Sequence, residues 1–143
     1  MTVAAILAEK GRRVVTMKPE DSLAEVVRTL AANKIGALIL TDAEGAIAGI
    51  ISERDVVRAL GAEGASALTV SASRFMSSHV VTCREEDTID AVMERMTAGR
   101  FRHMPVVKHD RLIGVVSIGD VVKRKIEKAE REAAEIRAYI ATA

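Results

Sequence analysis

Aromatic residues are nearly missing from this chain. Its 143 residues include no Trp, one Tyr and two Phe. That excludes the aromatic platforms on which single-stranded nucleic acids stack. Charge of one sign is just as scarce: 21 basic against 20 acidic residues leave a formal charge of +1. No global field draws the chain to a polyanion, and it has no basic tail, so a nucleic-acid partner is not expected. A local arginine patch is the one remaining route, and a salt-dependent gel shift would expose it. The single cysteine, Cys83, excludes an internal disulfide and fits a reducing compartment. It follows Thr82 at the end of a predicted strand and reads as a small buried hydrophobe, not a nucleophile. His79, His103 and His109 do not stand with it at metal-ligand spacing, so no metal site is expected. Met1 to Leu7 is apolar but short, lacks basic residues ahead of it, and runs into Glu9-Lys10-Gly11-Arg12-Arg13. It has the marks of neither a signal peptide nor a membrane span, and a soluble, cytoplasmic protein is expected. No Gly-x-x-x-x-Gly-Lys-Ser/Thr loop is present, and no nucleophile stands with a base and an orienting acid at credible spacing. The chain is not expected to be an enzyme.

What is present is aliphatic and duplicated. Hydrophobic residues make up 49% of the chain, ample for a core of Val, Ile, Leu and Ala. Val14-Val15-Thr16 returns as Val80-Val81-Thr82, and Glu20-Asp21-Ser22-Leu23 as Glu86-Asp87-Thr88-Ile89. Gly49-Ile50-Ile51-Ser52 returns as Gly114-Val115-Val116-Ser117, and Asp55-Val56-Val57 as Asp120-Val121-Val122. The offset is 66 residues at the first aspartates and 65 at the last, so one residue is lost in a loop. A period this long is a whole supersecondary unit. Two units, 1–68 and 69–143, are expected to bury their apolar faces against each other about a pseudo-two-fold axis. Equivalent clefts then face each other, and a ligand between the copies is the first hypothesis.

Each copy reads as strand, helix, strand, strand, helix, an α/β (α+β) unit. In the first, Val14 to Thr16 is a short strand, and Ser22-x-x-Glu25 is a capping box ahead of Leu23, Val26, Val27 and Leu30. Ala37 to Leu40 and Ile47 to Ile51 form a hairpin around Asp42-Ala43-Glu44-Gly45. A helix runs from Glu53 to Leu60, and a small polar stretch to Ser73 joins the copies. The second copy offers Val80 to Thr82, a helix lined by Ile89, Val92, Met93 and Met96, and a hairpin of Met104 to Val107 with Leu112 to Val116. Each unit is expected to begin before its first strand, since Thr2-Val3 and Ile6-Leu7 resemble Thr69-Val70 and Phe75-Met76. The last helix runs on. Val122, Ile126, Ala129, Ala133, Ile136 and Ile140 form one apolar stripe, with Glu127–Arg131 and Lys128–Glu132 as i, i+4 pairs. That stripe packs back on its own domain or meets a second chain or other partner.

The informative motif is Gly49-Ile50-Ile51-Ser52-Glu53-Arg54-Asp55, echoed by Gly114-Val115-Val116-Ser117-Ile118-Gly119-Asp120. Glycine lets another group approach the strand closely. The strand ends in a hydroxyl at a helix N-terminus, whose free N–H groups suit a phosphate. The carboxylate three residues later can accept hydrogen bonds from the vicinal hydroxyls of a ribose. Ser-x-x-Asp is equally a capping box that satisfies only backbone, and duplication copies caps as well as sites.

The double unit resembles a tandem pair of cystathionine-β-synthase (CBS) domains, a Bateman module. The resemblance spans nearly the whole chain. It rests on Gly-h-h-Ser-x-x-Asp in both copies, on Arg102-His103-Met104-Pro105-Val106-Val107, and on Thr16 and Thr82. It implies a stand-alone CBS-domain protein of two βαββα repeats with an extended C-terminal helix. It also implies an adenosyl ligand (AMP, ADP, ATP, NAD(H) or S-adenosylmethionine) in the cleft between repeats. By position, Thr16, Ser52 and Asp55 would make one site, and Thr82, Ser117 and Asp120 the other. Backbone before the second strand would contact a base, and Met104 next to Pro105 would touch it as well. Basic residues there reach across to phosphates in the opposite site, which implies that Arg100, Arg102 and His103 face the Asp55 site, where Arg54 also stands. The Asp55 site would then take the more highly charged ligand. Otherwise these arginines are solvated surface charges.

The expected function is that of a non-catalytic energy or redox sensor, acting through assembly or on an effector protein in trans. Flat disc-like homodimers are common in such modules. The alternative is a ligand-free structural or interaction protein that docks a partner enzyme.

Overall fold

The computed structural model describes residues 1–142. In chain order its elements are α1 (Val3–Lys10), β1 (Thr16–Met17), α2 (Leu23–Asn33), β2 (Ala37–Thr41), β3 (Ile47–Ser52), α3 (Glu53–Glu63), α4 (Ile89–Gly99), β4 (His103–Lys108), β5 (Arg111–Ser117) and α5 (Ile118–Thr142). Two 3₁₀ turns, Gly64–Thr69 and Ala72–Arg74, lie between α3 and α4. The first repeat carries a sheet in the order β1-β2-β3, with β1 parallel and β3 antiparallel to β2. The second carries the hairpin β4-β5.

Local chemistry sets these elements. Ser22 and Thr88 cap α2 and α4 by accepting the N–H of Glu25 and Ala91, which satisfies an orphan donor at each helix start. Both helices end on a left-handed residue, Lys34 at φ 54° and Arg100 at φ 56°. The β4–β5 turn uses His109 and Asp110, both at positive φ, the geometry that matches the twist of a two-residue hairpin.

Three expectations change. The predicted strand Val80–Thr82 contracts to one bridge at Cys83, which pairs parallel with Val106 through Pro105 and Val107. Its counterpart in the first repeat is only two residues long. The α3 helix continues through Gly61 to Glu63. The stretch that follows is no loose linker: Ala67 and Ala72 are fully buried, small enough for their turns to lie on the first core.

The largest departure is in what each core contains. The first core joins Leu23, Val26, Leu30, Leu38, Leu40 and Ile51 to Ala67 and Ala72, with Phe75 and Met76 packed against it. The second joins Ile89, Val92, Met96, Met104, Val106 and Val116 to Val3, Ile6 and Leu7 of α1. The two repeats have exchanged their leading segments. Backbone bonds repeat the exchange: Val3 N–H donates to Asp87 O at 2.9 Å, and Ala72 N–H to Asp21 O at 2.8 Å. Thr2 bridges Thr88 as Ser71 bridges Ser22. The equivalent positions are therefore Thr2 with Ser71 and Leu7 with Met76, and the expected match of Thr2-Val3 to Thr69-Val70 is displaced by two residues. Full burial of Val3, Ile6 and Leu7 contributes about 1.5–3 kcal/mol each, so α1 is part of the second repeat's stability.

Cys83 lies in the second core at 2% exposure, and burial pushes its thiol up to about 12. The thiolate is the nucleophile. Iodoacetamide is thus expected to leave the native chain unlabelled at mildly alkaline pH and to label one thiol per chain on denaturation. Rapid labelling of native protein would contradict this packing. No helix among the described residues is long and apolar enough to cross a membrane.

Candidate functional site

Both Ser-x-x-Asp motifs sit where a hairpin strand becomes a helix. Ile51 and Val116 are fully buried and anchor the two strand ends, so Ser52 and Ser117 emerge at fixed points. Asp55 Oδ2 accepts the N–H of Ser52 at 2.9 Å, and the Asp55 N–H donates to Ser52 Oγ at 3.3 Å. The second site repeats this, with Ser117 N–H to Asp120 Oδ2 at 2.8 Å and Asp120 N–H to Ser117 Oγ at 3.1 Å. Each pair is a closed capping box. In both, the recorded bonds fall on Oδ2, and among the described residues none reaches Oδ1. One half-buried carboxylate oxygen therefore remains at each helix start, held in place by the cap and open to further donors.

The glycines of the motif serve packing. A Cβ on Gly49 would lie 2.5 Å from Met76 Sδ and 2.8 Å from the Ser77 carbonyl oxygen. A Cβ on Gly114 would lie 2.7 Å from Leu7 Cδ2. The group that approaches each strand closely is the segment exchanged from the other repeat.

The two sites differ in charge. Lys10, at the end of α1, reaches across the exchange to Asp120 Oδ2 at 2.8 Å and to the Val115 carbonyl at 3.0 Å. Burial raises the Asp120 carboxyl, but Lys10 and the Ser117 amide outweigh it and hold that group below the usual range. The position equivalent to Lys10 is His79, which is exposed, and no hydrogen bond among the described residues links it to Asp55. Lys10 is the site residue that sequence reasoning missed. Its partner is 110 residues away, beyond any local pattern.

His103 lies at the meeting of the repeats. It starts β4 opposite Ser117. A Cβ on Gly36 would lie 3.5 Å from Glu53 Oε1 and 3.7 Å from His103 Cε1, so the ring stands beside the start of α3. Burial, reinforced by Lys10, lowers the His103 pKa and favours the neutral ring. Arg54, Arg100 and Arg102 are exposed, and no hydrogen bond or ion pair among the described residues engages their guanidinium groups. Thr16 is exposed on β1, opposite Ile39. Thr82 is half-buried, and its carbonyl meets Arg95 at 3.5 Å. Met104 is fully buried in the second core, and the Pro105 carbonyl accepts Cys83 N–H. Any contact Met104 makes outside that core must run through its backbone.

A hollow of about 290 Å³ lined by Arg84, Glu85, Glu86 and the β4–β5 turn lies at the opposite end of that hairpin from Ser117. It contains neither aspartate. Among the described residues no three His, Cys, Asp or Glu side chains gather as a metal cage requires.

The model of the CBS domain matches the chain twice, over residues 8–62 and 72–127. A CBS-domain containing protein from Agrobacterium tumefaciens shares the architecture at a TM-score of 0.84 and 49% identity, over 87% of this chain and 92% of that one. A CBS domain pair solved in complex with 5′-methylthioadenosine and S-adenosyl-L-methionine aligns at 0.80 and 25% identity, over 90% and 98% of the two chains. A CBS domain protein from Pyrobaculum aerophilum, complexed with AMP, aligns at 0.76 and 28% identity, over 84% and 89%. The chain spans 71% of a 30%-identical mitochondrial CBS domain-containing protein of Arabidopsis thaliana, but only about a quarter of several longer plant relatives. With both repeats matched, each closed by its own Ser–Asp helix start, the chain belongs to the CBS-domain family and carries two CBS domains in tandem.

Proposed function

We propose that this chain is a non-catalytic regulatory module that binds an adenosyl ligand where its two repeats meet. The observation that carries the reading is the pair of capped aspartates, each presenting an uncommitted Oδ1. The ribose hydroxyls of AMP, ATP, NAD(H) or S-adenosylmethionine would donate to that oxygen. Relatives solved with AMP and with 5′-methylthioadenosine and S-adenosyl-L-methionine support the ligand class. Among the described residues Arg54, Arg100 and Arg102 have no partner to give up before meeting a phosphate, which favours the more anionic ligand at the Asp55 site. The test is thermal unfolding with each of these ligands. Saturation at about 100 times Kd stabilises a single site by roughly 2.7 kcal/mol, and flat curves for all of them would sink the reading. The two repeats would then serve as a docking scaffold for another protein. The caps favour that second reading to one extent: they are complete without a ligand.

The Asp120 site is expected to be the weaker one, because ribose must share its carboxylate with an ammonium already in contact. Removing that competitor with Lys10→Ala is expected to tighten an uncharged nucleoside at this site by up to about fivefold. An ion pair this exposed is worth roughly 1 kcal/mol or less, with side chains 40% and 25% exposed. Two-site calorimetry with 5′-methylthioadenosine reads the change. Weaker binding in the variant would instead make Lys10 a ligand contact.

A further inference from the structure

Among the described residues nothing packs against the second half of α5. Its first turns are fixed: Val121 is buried, Arg124 donates to the Ala5 carbonyl at 2.9 Å, Lys123 meets Glu9 at 3.3 Å, and Lys125 meets Asp90 at 2.6 Å. From Lys128 to Thr142 every residue is exposed. A lone helix of this length is marginal in water. Its stripe of Val122, Ile126, Ala129, Ala133, Ile136 and Ile140 alternates four- and three-residue steps, the 3.5-residue period of a coiled-coil seam. The branched members stay open to solvent, with Val122 38%, Ile126 53%, Ile136 60% and Ile140 66% exposed. Ala129 and Ala133 at its centre permit close approach.

The charges flanking the seam decide what covers it. In a parallel, in-register pair, Glu132 stands opposite the partner's Arg137, and Lys125, which also meets Asp90 of its own chain, faces the partner's Glu130. Both pairs attract, and symmetry makes each of them twice. The antiparallel register that keeps all six seam positions together sets Glu130 against Glu130, Glu132 against Glu132 and Lys123 against Arg137. Every one of those repels. We propose that two copies of this chain associate through α5 as a parallel, in-register coiled coil. The inference rests on α5 alone and is independent of the ligand reading.

Sedimentation equilibrium of the full chain reads the outcome. The wild type is expected to be a dimer. Ile136→Asp is expected to raise its dissociation constant by at least roughly a hundredfold, since a carboxylate then sits in the seam of both copies. Arg137→Glu should weaken the dimer, and Glu132→Arg added to it should restore the dimer. With oxidised glutathione, Ala133→Cys should give a disulfide-linked dimer, because parallel chains place the two copies of position 133 face to face, while Cys83 stays buried. These positions are exposed and meet no other element among the described residues, so an unchanged melting transition separates loss of pairing from loss of fold. A monomeric wild type, a dimer indifferent to Ile136→Asp, or one strengthened by Arg137→Glu and not cross-linked at position 133 would overturn the proposal.

Discussion

Asp55→Asn is expected to lose the ligand-induced rise in melting temperature at its site while melting normally without ligand. Asparagine keeps an acceptor for the Ser52 N–H, so the cap that Asp55 closes at 2.9 Å survives. The ligand-free change should stay within about 1 kcal/mol, the typical worth of such a cap. What disappears is the charged acceptor at the second oxygen. Hydrogen bonds to a charged group are worth about 1.5–3 kcal/mol each, and leaving ribose hydroxyls facing an amide adds mismatch. A loss of roughly 2–4 kcal/mol weakens binding by about thirty- to a thousandfold. Asp55→Ala is the less informative variant, because it removes cap and acceptor together. Full ligand response in Asp55→Asn would show that the motif is only a cap.

Gly49→Ala is expected to be the most destabilising small substitution in the chain. The added carbon would lie 2.8 Å from the Ser77 carbonyl oxygen, a backbone atom held by paired bonds between Ile50 and Ser77 at 2.9 Å. The strand cannot yield there without releasing the exchanged segment from the first core. A cost of about 3 kcal/mol follows from such overpacking, or roughly 10 °C in melting temperature for a chain of this size. Gly114→Ala meets the end of a leucine side chain instead, with Leu7 Cδ2 at 2.7 Å, and should cost less because Leu7 can change rotamer. No effect at Gly49 would contradict the exchange of segments, and equal effects at the two glycines would contradict the difference between a backbone and a side-chain contact.

That exchange marks the limit of what could be read from residues in order. The duplication, both hairpins, the helices α2 and α4 and the Ser-x-x-Asp helix starts are legible in the residues and stand in the structure, whereas α1 was not read as a helix and α3 runs three residues past its expected end. Gly49 and Gly114 were legible as points of close approach, but nothing in the order of residues names what approaches. Met76 and Leu7 sit at an offset of 69 residues while the strands and helices repeat at 66 or 65. Three extra residues separate α1 from its first strand, and the mismatch hides which core each leading segment joins. Lys10 escaped for the same reason, since a lysine at the end of a short helix reads as a solvated charge until the fold brings Asp120 to it. The strand at Val80–Thr82 failed because short apolar runs carry little pairing information of their own. In the first repeat two residues pair, and in the second only Cys83 does.

The most direct test is calorimetric titration of AMP, and separately of S-adenosylmethionine, into the wild type and into Asp55→Asn/Asp120→Asn. Saturable heat with at least one ligand in the wild type, absent in the double variant, is the predicted result. Equal binding by the double variant, or no binding of either ligand to well-folded wild type, would contradict an adenosyl site built on the two capped aspartates.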